Sequence, residues 1–128
     1  MTALRLRVLT PEATVFDESV AEVVAPLPDG WIGILPGHRA FEARLMPGQI
    51  IVRLGGRGRR IATLGGTMSV NHTGVRMLVG AAGVDRDLSE LERDIGEQAR
   101  ELAEMEREAE RHFDRIYRAV ARTLNHRA

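Results

Sequence analysis

The chain has 128 residues, 44% of them apolar, and eighteen arginines balance eighteen acids to a formal net charge of zero. That bounds it to one compact domain, or a small domain with an appendage, and leaves no global field to select nucleic acid or an acidic membrane. Cysteine and lysine are absent, which excludes disulfides, thiolate metal sites, a P-loop lysine and Schiff-base chemistry.

The opening MTALRLRVLT alternates and lacks the apolar centre of a signal peptide. No run of roughly 18 apolar residues is present to span a bilayer. Leu4, Leu6 and Val8 alternate with Arg5 and Arg7 as a half-buried strand does. Further strands are expected over 20–25, 49–54, 59–64, 67–70 and 75–79. Turn residues separate them at Pro26 to Gly30, Pro47-Gly48, Gly55 to Gly58, Gly65-Gly66 and Asn71 to Gly74. Short strands at this spacing predict an antiparallel β-sandwich or barrel, and two packed sheets would give each strand one buried face. Within it, Gly33-Ile34-Leu35-Pro36-Gly37-His38 reads as a tight turn with an apolar anchor, a rigid loop presenting Trp31 and His38. Trp31 either closes the end of the sandwich or marks a contact surface.

The grammar changes near Gly83. All five prolines and eleven of thirteen glycines precede it. Residues 1–84 carry nine arginines and six acids, a balance of +3, whereas 85–128 carry nine arginines and twelve acids, a balance of −3. From Leu88 through Leu91, Ile95, Ala99, Leu102, Met105, Ala109, Phe113, Ile116, Val120 and Leu124 the apolar residues step by three or four, the stripe of an amphipathic helix. Asp87 or Ser89 is placed to cap its start. Residues 85–110 hold eleven acids against four arginines, and 111–128 one acid against five arginines. That asymmetry suits a helix dipole, and equally a hairpin of one acidic and one basic helix. The domains predicted are therefore 1–84, a sandwich, and 85–128, an α-helical hairpin or a single long helix, together an α+β chain.

No catalytic grammar emerges. Ser19, Ser69 and Ser89 lie outside any G-x-S-x-G elbow, and His38, His72, His112 and His126 have neither metal-ligand spacing nor clustered acids. Arg57, Arg59 and Arg60 form one basic cluster, but five aromatic residues in the whole chain make a poor base-stacking platform. The residues predict no catalytic group, no metal site and no cofactor.

GILPGH at 33–38 resembles the signature of the epsilon subunit family of rotary ATP synthases. Thr10-Pro11-Glu12 with Phe16, Met46-Pro47-Gly48, IATLGGTMSV at 61–70, Val75 to Val79 and the segment from Phe113 to Asn125 follow in the family's order. The resemblance implies a ten-stranded flattened sandwich with a helical tail. It implies a non-catalytic rotor part that holds the gamma subunit and faces the c-ring through Asp29, Gly30, Trp31 and His38. The tail would restrain ATP hydrolysis by extending to the alpha/beta catalytic subunits, with Arg111, Arg115, Arg118 and Arg122 as the inhibitory contacts. The location implied is peripheral, at the cytoplasmic face of the inner membrane, held there by the complex. Some family members bind ATP through [IL]-D-x-x-R-A. Here Ser89 and Glu92 stand at the aspartate and arginine positions, which argues against ATP binding. The alternative is a standalone protein-interaction module with a coiled-coil tail, and a nucleic-acid module resting on Arg57, Arg59 and Arg60 ranks after it.

Overall fold

A computed structural model describes residues 3–125; His126 lies outside them. Ten strands precede one helix: β1 (Leu4–Leu9), β2 (Thr14–Val20), β3 (Glu22–Leu27), β4 (Gly30–Ile34), β5 (Phe41–Leu45), β6 (Gly48–Leu54), β7 (Arg57–Thr63), β8 (Gly66–Val70), β9 (Gly74–Val79), β10 (Ala82–Val84) and α1 (Leu88–Asn125). Two five-stranded sheets form, in the orders β2-β1-β9-β8-β5 and β10-β7-β6-β3-β4. The chain divides into two compact units, Met1–Glu92 and Arg93–Ala128.

The first unit is organised by alternation. Leu4, Leu6 and Val8 of β1 are fully buried while Arg5 and Arg7 are exposed. Val75, Met77 and Val79 do the same on β9, and Ile50 and Val52 on β6. Phe16, Val23, Ala25, Ile34, Leu45, Ile61 and Met68 complete one core cluster. Each valine, leucine, isoleucine, phenylalanine or methionine among them contributes roughly 1.5–3 kcal/mol of transfer free energy when fully buried. The buried Thr63 hydroxyl accepts from Gly65 N at 3.1 Å, so the core leaves no polar group uncompensated there.

Three details depart from the expected pattern. The sandwich is not wholly antiparallel, because β1 pairs β9 in parallel from Arg5↔Gly74 to Leu9↔Leu78. Arg5 N donates to Thr73 O at 2.9 Å, so both strands set out from the same end. The expected strand 20–25 is two strands that break at Ala21, whose N–H turns to Arg53 O at 2.8 Å. Pro26 lies inside β3 rather than in a turn. The ladder between β3 and β6 stops at Val24, so the missing proline donor falls beyond it.

Gly66 opens β8 where the backbone of β9 crosses closest, and a Cβ there would run into the Leu78 carbonyl. On the outer face of the first sheet, Arg5 Nε donates to Asp17 Oδ1 at 2.7 Å. This hydrogen bond and charge hold the Asp17 carboxyl below its ordinary pKa.

The second unit is regular helix. α1 runs 38 residues without a break, about 57 Å at roughly 1.5 Å per residue, so the single helix is formed rather than the hairpin. EMEREAER at 104–111 is built from strong helix formers and has no breaker at which to turn. Asp87 stands immediately before the helix and its carbonyl accepts from Leu91 N. Its carboxylate pairs with Arg60 instead of capping.

Replacing Ile50 or Met68 by alanine is expected to cost about 2–5 kcal/mol in denaturant unfolding, whereas Leu102→Ala on the exposed helix stays within about 0.5 kcal/mol. Gly66→Ala is expected to destabilise although it adds a single methyl. The Asp17 contribution to stability is present above the ordinary aspartate pKa and is lost as pH falls through the depressed folded value. NMR titration should therefore place Asp17 below ordinary aspartates, and Arg5→Gln should return it.

Candidate functional site

The first group of expected contact residues is split by strand β4. Asp29 sits in the two-residue turn between β3 and β4, Gly30 opens β4 with φ 126°, and Trp31 follows. His38 lies past the opposite end of β4. Three steps of strand at about 3.3 Å each carry the chain about 10 Å from Trp31 to Ile34 before the turn that holds His38. The loop expected to present both is therefore a strand with Trp31 at one end and a turn with His38 at the other.

That turn is well anchored. Ile34 is fully buried, and Gly37, at φ 82°, adopts a conformation glycine favours. Gly37 N donates to His72 O at 2.9 Å and His38 N to Leu35 O at 3.1 Å. His38 Nδ1 donates to Arg39 O at 2.8 Å. Its ring lies 5.3 Å from that of Phe41. His38 is thus engaged within its own loop, while Leu35 is exposed.

Trp31 is different. It is 61% exposed on an edge strand, opposite Pro26 of β3. Val24 pairs Ile51 across β3 and β6, which puts Trp31, Val24 and Ile51 on one outer face. Ile51 is also exposed. The Glu22–Arg53 ion pair, 3.2 Å, borders this apolar patch. Ile51 escaped the sequence reading because Ile50-Ile51-Val52 reads as a wholly buried run; strict alternation from Ile50 would have turned it outward.

The second group is brought together. Arg111, Arg115, Arg118 and Arg122 step by four, three and four, which aligns them along one face of α1. All four are exposed, and among the described residues none meets an acidic partner. Phe113, Ile116, Val120 and Leu124 form a second exposed row. The two rows start two residues apart, about 200° around the helix, so they occupy opposite faces. Phe113 and Tyr117 rings lie 6.5 Å apart within the second.

The basic cluster at Arg57, Arg59 and Arg60 is largely neutralised within the sandwich. Arg59 reaches Asp85 at 3.1 Å and Glu18 at 3.6 Å, and Arg60 reaches Asp87 at 3.1 Å. The adjoining cleft, about 480 Å³, is lined by Glu18, Arg57, Arg59 and Asp85 and carries both signs of charge. That is a poor site for a phosphate backbone. Among the described residues no group of three histidines or acids is disposed to hold a metal, and no helix is long and apolar enough to cross a membrane.

Two facing sheets of short strands, followed by one amphipathic helix with opposed apolar and arginine faces, define an α+β sandwich-and-helix chain. Residues 3–83 match the family model of the ATP synthase delta/epsilon chain, β-sandwich domain. An ATP synthase epsilon chain of Synechococcus sp. strain CC9311 is 41% identical over 92 residues, covering 70% of this chain and 68% of that one. The epsilon chain of Synechococcus sp. strain WH7803 is 44% identical over 80 residues, covering 62% and 59%. The chain belongs to the ATP synthase delta/epsilon family. These alignments span between 59% and 68% of the relatives' own length. Among solved structures, a chain of the Euglena gracilis mitochondrial ATP synthase superposes with a TM-score of 0.63 at 24% identity, covering 76% of this chain and 64% of that one. One from the Tetrahymena thermophila enzyme superposes at 0.54 and 15% identity, covering 62% and 64%. At these identities the superpositions report a common fold.

Trp31 is the chain's one tryptophan, so its exposure can be read directly. Fluorescence of the folded protein is expected to show water-exposed emission that acrylamide quenches readily. Blue-shifted, protected emission would place Trp31 in the core instead.

Proposed function

We propose that the chain is a non-catalytic central-stalk subunit of a rotary ATP synthase. The observation that carries this reading is the family match over residues 3–83 together with about 40% identity to ATP synthase epsilon chains. In this reading the sandwich, 1–84, couples the gamma subunit to the c-ring, and the helical segment, 85–128, restrains ATP hydrolysis. The subunit holds no cofactor and contributes no catalytic group. It is peripheral, at the cytoplasmic face of the membrane, and is held there by its partners.

The physical support is in the two modules. Packed sheets resist shear because displacing one strand disturbs the close-packed side chains of the other sheet, so a sandwich can carry torque. The Asp29-Gly30 turn and the exposed Trp31 form the part of the c-ring contact offered by β4. A large rigid aromatic on a well-paired strand loses little entropy on docking. His38 contributes from the other end of β4 through the anchored Gly33 to His38 turn. Arg111, Arg115, Arg118 and Arg122 offer a row of guanidiniums to acidic residues of the alpha/beta subunits, while the opposite apolar row packs on a second surface. A helix with two such faces fits a position between two partners.

The direct test is recovery of partners from host membranes with the tagged full chain in mild detergent. Gamma, the catalytic subunits and the c-ring are expected together. Recovery of none, with a folded and self-associating bait, would favour a standalone interaction module whose tail pairs through Leu88 to Leu124. Deleting residues after Arg86 is expected to raise ATPase activity of the assembled complex, and replacing the four arginines by alanine to raise it in part. Activity unchanged by both would mean that the tail does not inhibit. The purified chain alone is expected to hydrolyse no ATP through repeated purification.

A further inference from the structure

The junction between β10 and α1 is tied by ions. Asp85 is the one non-glycine residue with positive φ, 58°, among the described residues. Side chains rarely occupy that region, though aspartate and asparagine do so more readily than most. Glycine would adopt the same backbone without strain; what aspartate adds is a carboxylate. That carboxylate accepts from Arg59 Nη2 at 3.1 Å, while Asp85 N donates to Arg60 O at 2.8 Å. Two residues on, Asp87 Oδ1 pairs with Arg60 Nη2 at 3.1 Å. Arg59 also reaches Glu18 of β2 at 3.6 Å, and its guanidinium lies 5.9 Å from the centroid of the Phe16 ring. Two consecutive arginines of β7 therefore hold the two acids that bracket Arg86.

We propose that Asp85 and Asp87, held by Arg59 and Arg60, form an ionic latch that keeps the β10–α1 junction in one backbone conformation. Screening by salt, or an acidic partner surface that captures the two arginines, releases it. The side chains of both pairs are between 37% and 60% exposed, so water and counter-ions reach them and each pair is weak and exchangeable. Close to the junction, the apolar tie in the first turn of the helix is Leu91, which is buried. The strained φ at Asp85 works in the same direction. Once its carboxylate is free, the bond from Asp85 N to Arg60 O is the remaining tie on the left-handed conformation, and the residue is freer to relax to the ordinary wells. The latch goes beyond the rotor reading and does not depend on it, because it resides in the isolated chain.

The absence of cysteine permits a direct test on the full chain. Thr67→Cys on β8 and Glu92→Cys near the start of α1, both exposed positions of the first unit, accept spin labels for pulsed distance measurement. At low salt the parent is expected to give one narrow distance distribution, and high salt to broaden it. Asp85→Gly, which retains the backbone freedom and removes the carboxylate, should broaden it at low salt. Arg60→Glu should do the same, and adding Asp87→Arg to it should restore the narrow distribution with the charges exchanged. Circular dichroism checks that each variant is folded. Should Asp85→Gly not fold, Asp85→Asn removes the charge and still tolerates positive φ, with the same two outcomes. A parent distribution already broad at low salt would overturn the latch. So would narrow distributions that persist through every variant and at high salt.

Discussion

Everything in the first unit depends on one requirement: each of ten short strands must bury one face, and no strand is long enough to do so alone. The two sheets satisfy it by closing on a single cluster that runs from Leu4, Leu6 and Val8 through Met68 and Met77 to Ile50, Val52 and Ile61. Since successive side chains point to opposite faces, burying those residues turns Arg5, Arg7, Arg53, Arg76 and Trp31 outward. The outer faces of the two sheets are thus the obligatory reverse of the core. The same closure fixes where the turns fall. It places the Gly33 to His38 turn against the Asn71 to Gly74 turn, through the Gly37–His72 bond.

The helix obeys a different economy. Between its first and last turns its backbone groups are satisfied internally, so it needs no sheet partner to exist. Its apolar row from Leu102 to Leu124 is exposed, and its arginine row lies on the far side. Such a segment is stable enough to present, and is unfinished until something covers it. Both rows are therefore open to a partner, which is the property that the proposed role of this segment requires.

Legibility in the sequence follows the range of the forces involved. β1, β6 and β9 were readable because alternation is local, and glycine and proline marked most turns. β4 and β5 were not, since GWIGI carries two glycines and FEARL buries only Leu45 fully. β10 has three residues and no pattern of its own; it exists because Ala82, Gly83 and Val84 pair with Thr63, Ala62 and Ile61 of β7. The alignment of Arg111, Arg115, Arg118 and Arg122 was readable from spacing. The separation of Trp31 from His38 was not, because it depends on β4 being a strand.

The sequence by itself determined the two modules, the alternating core strands, the helical stripe and the arginine row, because each rests on contacts between residues a few positions apart. Tertiary structure alone decided the parallel alignment of β1 with β9, the placing of Ile51 on the same sheet face as Trp31 and the capture of Asp85 by Arg59. These join residues far apart in the chain, 26 positions in the last case. A local pattern carries no record of which distant segment will arrive beside it, and only closing the sheets around a common core brings such residues within reach.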